Sequence, residues 1–168
     1  MVTDSSLDTI DLRKYLTKTD ERATYLGSTI YAGGWIWPGQ YIQSPNGRYQ
    51  LYVNHGGQAI LYQDWSSVIW TLDLSSSLGY SGYFPGLAGT PPNWFALNVD
   101  WSTGRLKAKT SYQRFSRAHG ATTYAQWKTL WQTSGTSGSF LNLADNRNLV
   151  LWSSGWGTDL WQTYTYLW

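Results

Sequence analysis

The chain of 168 residues has no cysteine, one methionine and a single glutamate, Glu21. Without cysteine there are neither disulfide staples nor thiolate metal sites, so a packed core must hold the fold. A chain of about one domain's length can bury such a core. Charged residues make up only 13% and the net charge is +2, too little to imply a nucleic-acid partner through counterion release. No apolar run approaches the roughly 18 residues of a membrane span. The opening segment carries Asp4, Asp8 and Asp11 and no apolar stretch, so no secretory signal is expected there. Localisation stays open between the cytoplasm and release by a route without such a signal.

Catalytic groups are scarce as well. Glycoside hydrolysis needs two carboxylates facing each other across a cleft, and Asp64, Asp73, Asp100, Asp145 and Asp159 show no such pairing in sequence. His55 and His119 have no Ser or Cys motif to serve and no metal-ligand spacing. No enzyme, metal or cofactor is expected.

What the chain has instead is aromatic residues, 17% of the total, with 12 Trp and 13 Tyr against 4 Phe. Rings with a polar handle suit half-wet surfaces. From Tyr25 onward Gly, Pro and Asn recur at short intervals, as in Gly33 and Gly34, Pro38 and Gly39, and Pro45 to Gly47, which is the punctuation of a many-stranded sheet protein.

One unit recurs three times: an alternating run, a tight turn, a second alternating run, then an aliphatic-Trp pair followed by Thr. The first copy spans residues 48–62 and closes at Ile69, Trp70 and Thr71. A worn second copy spans 94–109 and closes at Leu130, Trp131 and Thr133, and the third spans 139–152 and closes at Leu160, Trp161 and Thr163. No single copy of such a unit can bury its apolar face, so three must share one core. The sequence therefore predicts one three-sided all-β domain, with Trp70, Trp131 and Trp161 buried near its axis. In the first copy Tyr49, Leu51, Val53, Ala59 and Leu61 should face the core while Gln50, Tyr52, Asn54, Gln58, Ile60 and Tyr62 face solvent. In the third, Leu141, Leu143, Leu149 and Leu151 should point inward, and Ala144, Asn146, Asn148, Val150 and Trp152 outward.

These features resemble the bulb-type (monocot mannose-binding) lectin family. The resemblance rests on the three Trp closers, the segment 27–33 and the Ser44 to Gly47 turn, and it covers about 25–163. It implies a β-prism II fold, three antiparallel sheets around a pseudo-threefold axis, with residues 1–24 as a short N-terminal extension and 25–168 as the lectin domain. It also implies mannose-containing glycans as partners, held on the outward face of each hairpin by the motif Gln-x-Asp-x-Asn-x-Val-x-Tyr.

That motif is degraded. Its positions fall on Asn54, Gly56, Gln58, Ile60 and Tyr62 in the first copy and on Ala144, Asn146, Asn148, Val150 and Trp152 in the third, with Asp145 adjacent. In the second, allowing one extra turn residue, they fall on Asp100, Ser102, Arg105, Lys107 and Lys109. A hexose needs amide and carboxylate groups two residues apart on one strand face, with an apolar side chain beneath the ring carbons. The third copy keeps most of this, the first less, and the second cannot bind sugar in the family's way. The remaining sites either bind weakly and rely on multivalency or have been reworked for an extended glycan.

Other features stand apart from the motif. Trp35, Trp37, Trp65 and Trp156 lie in Gly-rich turns and are candidate stacking platforms. An insertion at 110–128 carries Arg114, Arg117, His119 and Lys128 and, with Arg105, Lys107 and Lys109, makes a basic, aromatic-interleaved patch. That patch suits phosphate, an acidic glycan or a partner's carboxylates, or is a solvated hairpin. Residues 1–16 read as a short helix capped by Ser5 or Ser6 or as an ordered arm, or else as a frayed tail. The C-terminal strand from Tyr164 to Trp168 should not dangle as an open edge, and should either exchange into a homodimer or dock on its own prism. Two functions follow: a carbohydrate-binding lectin with weakened sites, or a lectin-like bacteriocin, toxin or protein-interaction module that uses the prism as a scaffold.

Overall fold

The computed structural model describes residues 23–77, 95–116 and 122–167, without the side chains of 112–116 and 122–126. The expected N-terminal helix and the charged groups Arg114, Arg117 and His119 lie outside what is described.

The elements run β1 (Thr24–Tyr25), β2 (Thr29–Ile30), β3 (Trp35–Ile36), β4 (Gln40–Gln43), β5 (Tyr49–Val53), β6 (Gln58–Gln63), β7 (Ser67–Asp73), β8 (Phe95–Val99), β9 (Leu106–Ser116), β10 (Thr122–Gln132), β11 (Phe140–Leu143), β12 (Leu149–Trp152) and β13 (Asp159–Gln162). They form three sheets, ordered β1-β4-β5-β6-β7, β10-β9-β8-β3 and β13-β12-β11-β2. Each sequence repeat supplies three antiparallel strands of one sheet. The fourth strand of each comes from the 29–43 segment, which visits the third, second and first sheets in turn. Gly34 allows the step from β2 to β3, because a Cβ there would lie 2.8 Å from Ile30 Cγ2 and 2.9 Å from the Tyr31 carbonyl oxygen. The fold is β-prism II, all-β as expected. One departure is that β1 pairs in parallel with β4, so the first sheet has five strands and is not purely antiparallel.

The inward residues of all three sheets meet in one core, with Leu51, Val53, Ala59, Leu61, Phe95, Val99, Ala108, Leu141, Leu143 and Leu151 fully buried. The closers have a structural reason. In each sheet the last strand pair slips register at the same place: Leu61 faces Trp70 but Tyr62 faces Val68, Leu151 faces Trp161 but Trp152 faces Asp159, and Lys109 faces Thr129 but Ala108 faces Trp131. The residues skipped are Ile69, Leu160 and Leu130. A bulge of this kind breaks strict alternation, so Ile69 and Trp70, and likewise Leu160 and Trp161, both pack on the core.

The closers are half-buried rather than buried, because they lie on β7, β10 and β13, the outermost strand of each sheet. Trp161 packs edge-to-face on Trp70, with ring centroids 5.7 Å apart, and on Trp131 at 5.5 Å, so indoles from all three sheets touch.

A second correction concerns the first hairpin, whose outward face is not exposed. Gln50, Tyr52, Ile60 and Tyr62 are all buried. Trp65 lies over them, packing against Tyr41 at 4.8 Å and against Tyr52 and Tyr62 at 6.0 Å each, with Ala23 alongside. The buried Gln50 amide donates to Gln43 Oε1 and the Gly47 carbonyl and accepts from the Trp65 backbone N–H, so it anchors this lid with no polar atom stranded.

Candidate functional site

The strand register aligns the three motif copies independently of sequence. Asn54 N–H donates to the Gln58 carbonyl, Asp100 N–H to Arg105 and Ala144 N–H to Asn148, so these pairs close the same turn in each sheet. The second turn holds one extra residue, as the sequence required. Gly104 makes room for it: its φ is +69°, and a Cβ would fall 1.7 Å from the Thr136 carbonyl oxygen.

On the first sheet the motif groups are committed to the fold. Asn54 Oδ1 accepts from the Gly56 and Gln58 backbone N–H groups, and its Nδ2 donates to Gln58 Oε1 at 2.9 Å. Gln58 Nε2 donates to Asp73 Oδ2 at 3.0 Å. Ile60 and Tyr62, which would form the apolar floor, lie beneath Trp65. The turn carrying this lid has left-handed backbone at Asp64 and Trp65, φ +52° and +58°, and Arg48 clamps it with a two-pronged pair to Asp64 at 3.0 and 3.3 Å.

On the second sheet Asp100 closes its own turn. One carboxylate oxygen accepts from Ser102 Oγ, Thr103 N–H and Thr103 Oγ1 at 2.8–3.0 Å, and the other faces Lys107 Nζ at 3.4 Å. The Thr103 hydrogen bonds hold its pKa far below the ordinary carboxylate value, with Ser102 and Lys107 adding to the effect. A depressed folded pKa adds stability that is complete above the unfolded value near 3.8 and is lost as pH falls toward the folded one. Asp100→Asn should therefore lower the melting temperature at pH 7, and the gap to the parent should narrow below about pH 4. Thermal scans across pH check this, and a gap that stayed constant into acid would show the carboxylate's charge to be irrelevant.

The third sheet is different. A groove of about 290 Å³ is lined by Asn142, Ala144, Asn146, Asn148, Val150, Trp152, Trp156, Asp159 and Gln162. It gathers the whole expected set of the third copy except Asp145, whose carboxylate instead accepts from Asn46 N–H at 2.8 Å and ties this turn to the first sheet's Ser44 to Gly47 turn. The sequence reading missed Asp159, Gln162 and Asn142. Asp159 lies opposite Trp152 and Gln162 opposite Val150, across the β13 bulge. The equivalent positions are Val68 and Thr71 on the first sheet and Thr129 and Gln132 on the second, so among the described sheets only the third has a carboxylate there. The clue was Asp159 just before the Leu160-Trp161 closer, but its use required knowing the bulge.

The polar side of this groove is a relay. Gln162 Nε2 donates to Asp159 Oδ2 at 2.6 Å, Asn148 Nδ2 donates to Gln162 Oε1 at 2.8 Å, and Asn148 Oδ1 accepts from Thr163 Oγ1 and Thr165 N–H. Asn148 is thus 94% shielded and orients its neighbours, whereas Asn146 and Asp159 are exposed. Val150 forms the floor. Trp152 and Trp156 form the wall, 5.7 Å apart, and Trp156 is braced by Phe140 at 4.6 Å. Trp156 remains 57% exposed with a left-handed backbone, φ +63°, a conformation that a bulky residue adopts only when its surroundings impose it.

The C-terminal segment completes the site. Thr165 Oγ1 donates to the Arg147 carbonyl, Arg147 Nε donates to the Thr165 carbonyl, and Leu167 N–H donates to the Asn146 carbonyl. Within this one chain the segment lies against its own prism, in irregular backbone rather than as a strand.

The fold is a β-prism II, and solved structures share it. The chain is similar to a Japanese Marasmius oreades lectin, with 20% identity over 85% of this chain and 96% of that one, at a TM-score of 0.57. It is also similar to monomeric monocot mannose-binding lectins from Gastrodia elata, with 15% identity over 83% of this chain and 99% of that one, at a TM-score of 0.56. No protein-family model and no curated protein sequence matches the chain.

Proposed function

We propose that this protein is a carbohydrate-binding lectin whose working site is the groove of the third sheet, taking a mannose-type hexose. The observation that carries the reading is the groove itself, in which Asn146, Gln162 and the Asp159 carboxylate border an apolar floor and wall of Val150, Trp152 and Trp156. Hydroxyls that both donate and accept meet amides and a carboxylate, and the ring's C–H face meets indole. Asp159 takes the part of the acid absent from the strand motif. Hydrogen bonds to a charged acceptor contribute roughly 1.5–3 kcal/mol against about 1 for neutral ones, so this group should dominate the polar term.

Affinity for a monosaccharide should be millimolar, about 4 kcal/mol, so useful avidity needs several chains on one multivalent glycan. A mannose titration followed by amide NMR should shift the signals of residues 142–162 around the groove and leave 54–62 unmoved. Asp159→Asn should weaken binding about tenfold and Trp152→Ala should remove it, as loss of a charged hydrogen bond and of the stacking wall require. Shifts confined to the first sheet would move the site there, and no shift on any sheet would favour the scaffold reading.

A further inference from the structure

The outward face of the second sheet is unlike the other two, and the proposed mannose groove makes no use of it. Where the third sheet has Asn148, Val150 and Trp152, this face has Arg105, Lys107 and Lys109. Three indoles stand beside these cations. Trp35 and Trp37 stack at 4.9 Å with planes 16° apart, and Trp127 packs on them at 5.1 and 5.3 Å while keeping 37% of its surface exposed. Lys109 Nζ sits 4.8 Å from the Trp35 ring centroid and donates to Asn98 Oδ1 at 3.0 Å. The register puts all of this on one face, with Trp35 opposite Asn98, Asn98 opposite Lys107, and Trp127 opposite Ser111, two residues beyond Lys109.

Among the described residues three cations stand against the single carboxylate of Asp100 on this strand face. Partial burial, and then repulsion from Lys107, lower the Lys109 pKa, so the ammonium is held in a setting that an arriving anion would relieve. A cation over an aromatic platform is matched by a ligand that is apolar on one face and anionic at one edge. Inorganic phosphate would leave the indoles unused, and an apolar peptide would leave Arg105 and Lys109 without a counter-charge. A single-stranded nucleic acid would want a long basic track with successive stacking slots, whereas these indoles stack on one another as a single platform.

We propose that the second sheet binds an anionic sugar ring, a uronate or a sulfated hexose, with its C–H face on Trp127 and its acid group on Lys109 beside Trp35. The test is a titration of the full chain at low salt with three disaccharides, one ending in glucuronate, one in a sulfated hexose and one in the neutral hexose, following the indole N–H signals. Either anionic sugar should shift Trp35 and Trp127 and bind about tenfold more tightly than the neutral one, as a charge-assisted contact requires, and whichever does so identifies the acid. Added salt should weaken binding and excess mannose should not compete. Lys109→Gln should erase the preference for the acid and Lys109→Arg should retain it. Equal binding of neutral and anionic sugars, a preference that survives in Lys109→Gln, tighter binding of a short single-stranded oligonucleotide, or no indole shift with any sugar would overturn the proposal.

Discussion

Replacing Trp161 with alanine should lower the unfolding free energy by about 3 kcal/mol, the low end for a large aromatic because the indole is only half-buried. The loss should exceed that for Trp70 or Trp131. Trp161 makes edge-to-face contact with both of those rings, whereas the two make no ring contact with each other among the described pairs. Each such contact adds about 0.5–1.5 kcal/mol beyond the area it buries. Because the three rings come from three sheets, the cluster ties the outermost strands β7, β10 and β13 together. Urea unfolding of the three single variants, with Trp101→Ala, 75% exposed, as a control expected to cost less than about 1 kcal/mol, gives the comparison. A Trp161 variant no less stable than the Trp101 one would mean that the indole triangle does not hold the sheets together.

The closers also mark how far the sequence could be read. Period-two alternation placed the inward residues correctly in both readable hairpins, because a buried face tolerates no one-residue slip. The recurring aliphatic-Trp pair was visible as a pattern, yet its cause was not. A bulge is a relation between two strands, and only the partner's register reveals that Ile69 and Leu160 are the extra residues. The same blindness hid Asp159. In the turn before β12 the third motif has Asn146 in place of its acid, but across the bulge a carboxylate stands opposite Trp152, so the site is assembled sideways and not along one strand. Asp145 misled for the converse reason: it is adjacent in sequence to the motif, while its side chain serves the neighbouring sheet's turn.

The first sheet failed in a different way. Tyr52, Ile60 and Tyr62 alternate as outward residues should, and they do leave the main core. What alternation does not encode is a lid. Trp65 reaches that face only because Asp64 and Trp65 take left-handed backbone and Gln50 holds the turn from beneath, three local choices with no periodic signature. The outward face of the first hairpin is a second small core, in which Ile60 and Tyr62 are packed while the Asn54 and Gln58 amides are tied to each other.

A chain ending at Thr163 should lose about 2 kcal/mol of stability, and its affinity for the third-sheet ligand should fall about tenfold. The segment beyond Thr163 makes four hydrogen bonds to the turn at residues 146–148, through Thr165 Oγ1, the Thr165 carbonyl, Thr165 N–H and Leu167 N–H. At the low end of about 0.5 kcal/mol net each, as suits a half-exposed segment, the four together contribute about 2 kcal/mol. Arg147 has left-handed backbone, φ +64°, and loses the acceptor of its guanidinium with Thr165, so the turn it holds should relax first. Asn148 loses one of the two donors that fix its carboxamide oxygen, and through Gln162 the disturbance reaches Asp159. Stability and sugar affinity should therefore fall together, which separates this segment from a tail that merely covers apolar surface. Urea unfolding, mannose titration and sedimentation of the shortened and full chains decide the matter. Unchanged stability and affinity would remove the segment's role in the site, whereas a mass halved by the truncation would show that in solution the segment joins two chains instead of latching its own.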